Sequence, residues 1–140
     1  MRPLVRKPLT FTLLVAASVA AGAATPAAAD DDLELAFNNH CRECHSADKG
    51  DNRLGPSLYG VVGRKAGTYP GYTNYSPSLL DSGLVWTEAN LDQWIANPNA
   101  VASGNNMSPP FEGVADPAER KKIIAYLKSD TAPKPAPVAK

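Results

Sequence analysis

Both cysteines and both histidines of the 140-residue chain fall within six consecutive positions, His40-Cys41-Arg42-Glu43-Cys44-His45. Three chemistries use such residues: a thiol redox pair, a metal site, or covalent attachment of a cofactor. A redox pair of the thioredoxin kind expects a preceding strand and a βαβ frame, and neither is readable around this segment. A structural zinc ion needs four ligands in a tetrahedron, drawn as a rule from two separated pairs, and there is no second pair. C-x-x-C-H is, in contrast, the signature of covalent haem attachment. Two thiols three positions apart on one helical turn can each add to a vinyl group on neighbouring pyrrole rings, and the adjacent His45 then presents its imidazole to the iron. The expectation is therefore one haem c, held by thioether links through Cys41 and Cys44, with His45 as an iron ligand. His40 shares the segment of His45 and cannot reach the other face of the same ring, so it reads as a partly exposed helix residue.

The second axial position decides between electron transfer and catalysis, because a strong protein ligand there excludes substrate. Beyond the N-terminal leader there is one methionine, Met107, 62 residues after His45 in the irregular stretch "NPNAVASGNNMSPPF". A methionine in a Gly, Asn and Pro loop, off any helix face, reads here as the second iron ligand. A thioether is soft and neutral and favours the reduced iron, so His/Met ligation implies a fairly high reduction potential.

Few elements are needed to hold these groups. Asp30-Asp31-Asp32 reads as the N-cap and first turn of a helix carrying Leu33, Ala36, Phe37 and Cys41 on one side, with the C-x-x-C-H motif at its end. Residues 46–82 are rich in Gly, Pro, Ser, Asn and Tyr without sustained periodicity, as expected of a loop wrapped around a template. Thr87 reads as the N-cap of a second helix whose Leu91, Trp94 and Ile95 share a face, ended by Asn97-Pro98. In "DPAERKKIIAYLK", Asp116 is N-cap, Pro117 is N1 and Glu119 is N3 of a third helix with an Ile123, Ile124 and Leu127 stripe. No strand alternation exceeds four or five residues. The fold class expected is all-α, three main helices plus long loops around the haem.

Residues 1–29 read as a cleaved secretory signal peptide: Arg2, Arg6 and Lys7, an apolar run from Leu9 to Ala24, and small residues ending Ala27-Ala28-Ala29. Residues 30–130 form the single expected domain and 131–140, "TAPKPAPVAK", a flexible Pro/Ala/Lys tail. Removing the leader leaves 11 Lys and Arg against 14 Asp and Glu, a net charge of −3 for a precursor that is formally neutral. No dense basic patch remains, which argues against a nucleic-acid partner. Nor is any segment beyond the leader apolar enough for stable membrane insertion.

From "CRECH" through "GPSLYGVVGRKAG", "YPGYTNYS", "GLVW", "LDQWIANP", "NNM" and "IIAYLK", nearly all of the region after the leader resembles a class I cytochrome c, close to mitochondrial cytochrome c and its soluble bacterial relatives. The resemblance implies the cytochrome c fold, with the first and last helices crossing and one haem edge exposed. By position it implies that Pro56 offers its carbonyl to the other imidazole nitrogen of His45. It further implies that Arg64, Tyr75 and Trp86 hydrogen-bond the propionates, that Tyr72 packs at the haem edge and that Trp94 lines the methionine side. Asn105 is expected to hydrogen-bond within the methionine loop, and Leu58 and Leu91 to contact the haem. The chain departs from the mitochondrial pattern where a ring of lysines docks acidic partners: Asn99, Ala100, Asn106 and Glu43 stand in that region, and Lys49, Arg64 and Lys65 are not a ring. Pro109-Pro110 lengthens the loop after Met107 by about two residues relative to the family.

The expected function is a periplasmic one-electron carrier of a respiratory or similar electron-transport chain, a monomer and not an enzyme. Its donor would be a dehydrogenase or quinol-oxidising complex, its acceptor an oxidase or reductase. Two other readings are a cytochrome subunit permanently bound to one periplasmic dehydrogenase, and a small haem peroxidase or ligand sensor. The last needs a distal acid-base group, for which there is no second usable His.

Overall fold

The computed structural model describes residues 26–129, so the tail and nearly all of the expected leader lie outside the described residues. Five helices follow in order: α1 (Pro26–His40), α2 (Pro77–Leu80), α3 (Glu88–Ala96), α4 (Pro98–Val101) and α5 (Pro117–Ser129). α2 and α4 are single turns, so the three long helices are those expected, and among the described residues the only β pairing is one isolated Lys65–Val85 bridge.

The start of α1 corrects one expectation. The chain is already helical at Pro26, the first described residue, so Asp30-Asp31-Asp32 lie inside α1 instead of capping it. The three alanines before the acids are the strongest helix formers, so helix extends upstream of the acids. α3 follows its sequence signals closely: the Thr87 hydroxyl accepts from the Asn90 N–H while the Asn90 side chain accepts from the Thr87 N–H, and Leu91, Trp94 and Ile95 are buried. At the start of α5 the Asp116 carboxylate accepts from the Ala118 N–H at 2.8 Å.

α5 is the element against which both other long helices rest. Against α1 it sets Tyr126 on Phe37, ring centroids 4.9 Å apart, and Lys122 within 3.2 Å of Asp32. Against α3 it sets Arg120 on Asp92 at 2.8 Å, while the same guanidinium donates to the Val114 and Ala115 carbonyls leading into the helix. Ile123 is fully buried where these faces meet. Ile123→Ala is expected to cost about 2–5 kcal/mol, the range for a deleted core side chain that leaves a cavity, read as a lower denaturation midpoint at unchanged m-value.

Candidate haem-binding site

The C-x-x-C-H motif leaves α1 without a break. Cys41 N–H donates to the Phe37 carbonyl at 2.8 Å and His45 N–H to the Cys41 carbonyl at 2.9 Å, so the helical hydrogen-bond step continues for one more turn. That turn brings Cys41, Cys44 and His45 onto the wall of one cavity of about 400 Å³. The two cysteines are not bridged. Burial, and the neighbouring Cys44, push the Cys41 thiol up to about 12. Thiol redox pairs work by the opposite device, a lowered thiolate pKa, so Cys41 is poorly suited to be the attacking thiolate of a disulfide exchange.

His45 is oriented from outside the cavity. Its Nδ1 lies 2.8 Å from the Pro56 carbonyl oxygen, and burial holds its pKa below the ordinary histidine value even against that bond. The ring is therefore neutral at pH 7, Nδ1–H donates to Pro56, and the Nε2 lone pair is left for a metal. Gly55 makes room for this arrangement: a Cβ there would lie 2.2 Å from the ring's Cε1. The Gly55 N–H also donates to the Cys44 carbonyl at 2.8 Å, fastening the 53–56 segment to the motif.

The far side of the loop supplies donors. Arg64, Tyr75 and Trp86 all line the cavity. Arg64 donates to the Tyr59 carbonyl at 2.7 Å and the Ser57 carbonyl at 3.1 Å, and its guanidinium sits 4.5 Å above the Tyr69 ring. Those bonds use two of its five N–H groups, and no Asp or Glu pairs with it among the described residues. Burial draws its pKa down, opposed by the phenols of Tyr75 and Tyr69. Tyr75 accepts from the Tyr69 N–H at 3.2 Å, which leaves its O–H hydrogen available. Trp86 is buried edge-on against Trp94, ring centroids 5.3 Å apart, and its indole N–H meets no acceptor among the described residues. A half-buried cation without a carboxylate partner and a buried indole N–H without an acceptor both favour an anion that completes them.

The methionine loop forms the remaining wall. The Asn105 side chain is buried and fully used: its Oδ1 accepts from the N–H groups of Met107 and Ser108, both at 2.9 Å, and its Nδ2 donates to the Ala102 carbonyl and Asn99 Oδ1, also at 2.9 Å. The turn from Met107 through Pro109-Pro110 closes where the Phe111 N–H donates to the Met107 carbonyl at 3.0 Å. Asn105→Ala is expected to cost about 1–3 kcal/mol by leaving these buried backbone groups without partners. Faster carbon monoxide binding by the reduced protein would show, separately, that Met107 has loosened.

Leu58, Leu91, Trp94, Asn105 and Met107 also line the cavity, as does Tyr72, although the Tyr72 hydroxyl turns away to donate to the Leu54 carbonyl at 2.7 Å. His40 is exposed at its mouth, 3.9 Å from Glu119. Sequence reasoning passed over Gly55, whose only trace was a Gly-Pro pair, and Leu79, Asn99 and Phe111, which carried no local signal. Apolar walls, two free thiols beside a neutral imidazole, a thioether, and unpaired donors for carboxylates together fit a covalently attached haem.

A family model described as "Cytochrome C oxidase, cbb3-type, subunit III" matches residues 28–127. Cytochrome c2 iso-1 of Magnetospirillum molischianum is 46% identical over 91 residues, 65% of this chain and 90% of that protein. Cytochrome c of Euglena viridis is 40% identical over 93 residues, 66% of this chain and 88% of that protein. Among solved structures, cytochrome cH from Methylobacterium extorquens superposes with a TM-score of 0.64 at 42% identity, covering 71% of this chain and 97% of that one.

Proposed function

The chain belongs to the class I c-type cytochromes, one-electron carriers with covalently bound haem c, and from that premise we propose how its own residues serve the transfer. When bound, the haem supplies an iron that takes up and releases one electron without bond making elsewhere. Cys41 and Cys44 fasten it to the end of α1. His45 ligates through Nε2, and the Pro56 carbonyl fixes the ring's tautomer and strengthens it as a donor. Met107 would ligate through its sulfur, at the end of a loop that Asn105 holds by four hydrogen bonds, an arrangement that would let the ligand stay in place as the iron changes oxidation state. Arg64, Tyr75 and Trp86 donate to the propionates, and Trp94 and Tyr72 exclude water from the ring.

The observation that carries this reading is the neutral His45 imidazole, held 2.8 Å from the Pro56 carbonyl beside two unbridged thiols. We place the protein in the periplasm as a shuttle with no catalytic step, after cleavage between Ala29 and Asp30, which would shorten α1 to begin at the three aspartates. Among the described residues no helix is long and apolar enough to cross a membrane. Expression of the full chain with a haem-ligation apparatus is the test. The expected product starts at Asp30, keeps its haem through denaturing electrophoresis and titrates as a single one-electron couple, about 59 mV per decade. Loss of haem on denaturation, or a ferric spectrum with a water ligand, would overturn the assignment.

The name of the matching family model, an oxidase subunit, favours one second reading: a cytochrome fixed permanently in a larger redox complex. Gel filtration of native extract separates the two, since a shuttle elutes as a haem peak at monomer size.

A further inference from the structure

We propose that this cytochrome docks its redox partners through a ring of apolar and polar side chains around the haem mouth that holds no Lys, Arg, Asp or Glu, so that association depends on buried surface and hardly on charge. The proposal rests on the reading of the cavity as the haem site. The exposed residues on the cavity lining are His40, Leu54, Asn74, Asn106 and Pro110, and none is a Lys, Arg, Asp or Glu. Leu54 is 73% exposed, the most exposed large apolar side chain among the described residues, although it stands directly at the opening.

The mouth is also built to stay in this form. The Leu54 carbonyl accepts from Tyr72 at 2.7 Å, and the Asn106 side chain donates to the Asn74 carbonyl at 3.0 Å, so the amide groups on the rim are tied to one another across 32 residues. Charged residues next to the rim in the chain come as opposites: Arg42 beside Glu43, and Arg53 paired with Asp51 at 2.8 Å. His40 on the rim lies 3.9 Å from Glu119, which Lys122 in turn holds at 2.9 Å, and Glu112 lies beyond Phe111. A face of this kind gives a charged partner no long-range attraction, whereas it gives an apolar, amide-lined partner a surface to bury. The partner it fits is therefore a redox protein whose own cofactor opening is ringed by apolar and uncharged polar side chains.

Two small probes read the charge at the mouth without any partner. Stopped-flow oxidation of the ferrous protein by ferricyanide and reduction of the ferric protein by hexaammineruthenium(II) are followed from about 10 mM to about 1 M salt, over which the screening length falls from roughly 30 Å to roughly 3 Å. The net charge of −3 makes wild-type oxidation by ferricyanide quicken and reduction by the ruthenium complex slow as salt rises, whereas Leu54→Lys is expected to weaken or reverse both trends. A wild-type dependence of the opposite sign, slowing with salt toward ferricyanide as a cationic mouth would give, would overturn the neutral mouth.

Apolar docking is read on the membrane fraction of the source cells, by co-sedimentation of the holoprotein and by the KM for its oxidation. Leu54→Ser, which keeps the charge, is expected to weaken co-sedimentation and raise KM severalfold at both salt extremes with kcat unchanged. Equal binding by wild type and Leu54→Ser, or binding abolished by salt, would sink the apolar partner. Absence of any exchange with membranes, with normal probe kinetics, would count against the shuttle and this docking face together while leaving the haem site standing.

Discussion

Replacing Met107 with alanine is expected to lower the reduction potential by a few tenths of a volt, within the roughly 0.8 V over which axial ligands set haem potentials. A neutral, polarisable sulfur favours the reduced iron. Alanine hands the position to water or hydroxide, which favour the oxidised state. The substitution is also cleanly interpretable because Asn105 grips the backbone N–H groups of residues 107 and 108 and makes no bond to the methionine side chain. The Phe111 N–H likewise donates to the residue 107 carbonyl. The loop is therefore expected to keep its shape while the ligand disappears. Loss of the near-infrared methionine-to-iron band in the ferric protein, together with rapid carbon monoxide binding in the reduced one, checks the result. An unchanged band and potential would mean that another side chain, and not Met107, faces the iron.

Gly113→Ala is the substitution expected to damage the fold most for the fewest atoms added. Gly113 sits at φ +100°, where an L side chain is strained, and its Cβ would lie 2.1 Å from the Ala96 carbonyl oxygen and 2.9 Å from the Ala96 carbonyl carbon. Those are backbone atoms at the end of α3, where the Ile95 carbonyl also accepts from Val114 at 2.9 Å and Asn97 closes the last turn on Gln93. Relief requires moving the helix end or the chain that leads into α5. Backbone strain and overpacking, each about 1–3 kcal/mol, act together, so a loss of about 3 kcal/mol or more is expected from a total that for a domain of this size is about 5–15 kcal/mol. Gly104→Ala is the internal comparison, since Gly104 has φ +76° with nothing within 4 Å of its Cβ. It carries the conformational strain without the collision. Equal denaturation midpoints for the two variants would show that the Gly113 contact relaxes at no cost.

The loops show how the legibility of the sequence was divided. Thr87, Asp116 and the Leu91, Trp94, Ile95 and Ile123, Ile124, Leu127 stripes marked α3 and α5 because caps and helical faces repeat within a few residues, and each sits as the spacing implied. α1 departs from its cap signal for the same local reason: three aspartates resemble a cap, but the alanines before them are strong helix formers and are already helical. Gly55 and Gly113 were invisible, because a glycine's necessity lies in the atom it meets, an imidazole in one case and a carbonyl 17 residues away in the other.

By itself the sequence determined the proximal half of the site, because Cys41, Cys44 and His45 are neighbours on one helical turn whatever the rest of the chain does. The tertiary structure alone decided that Arg64, without a carboxylate partner, and the buried Trp86 line the same cavity as that turn, that Asn105 locks the Met107 loop, and that the exposed lining is His40, Leu54, Asn74, Asn106 and Pro110 with no Lys, Arg, Asp or Glu. These groups come from segments without periodicity, and their neighbours are set by how the loops close around the cavity, which no short-range pattern encodes.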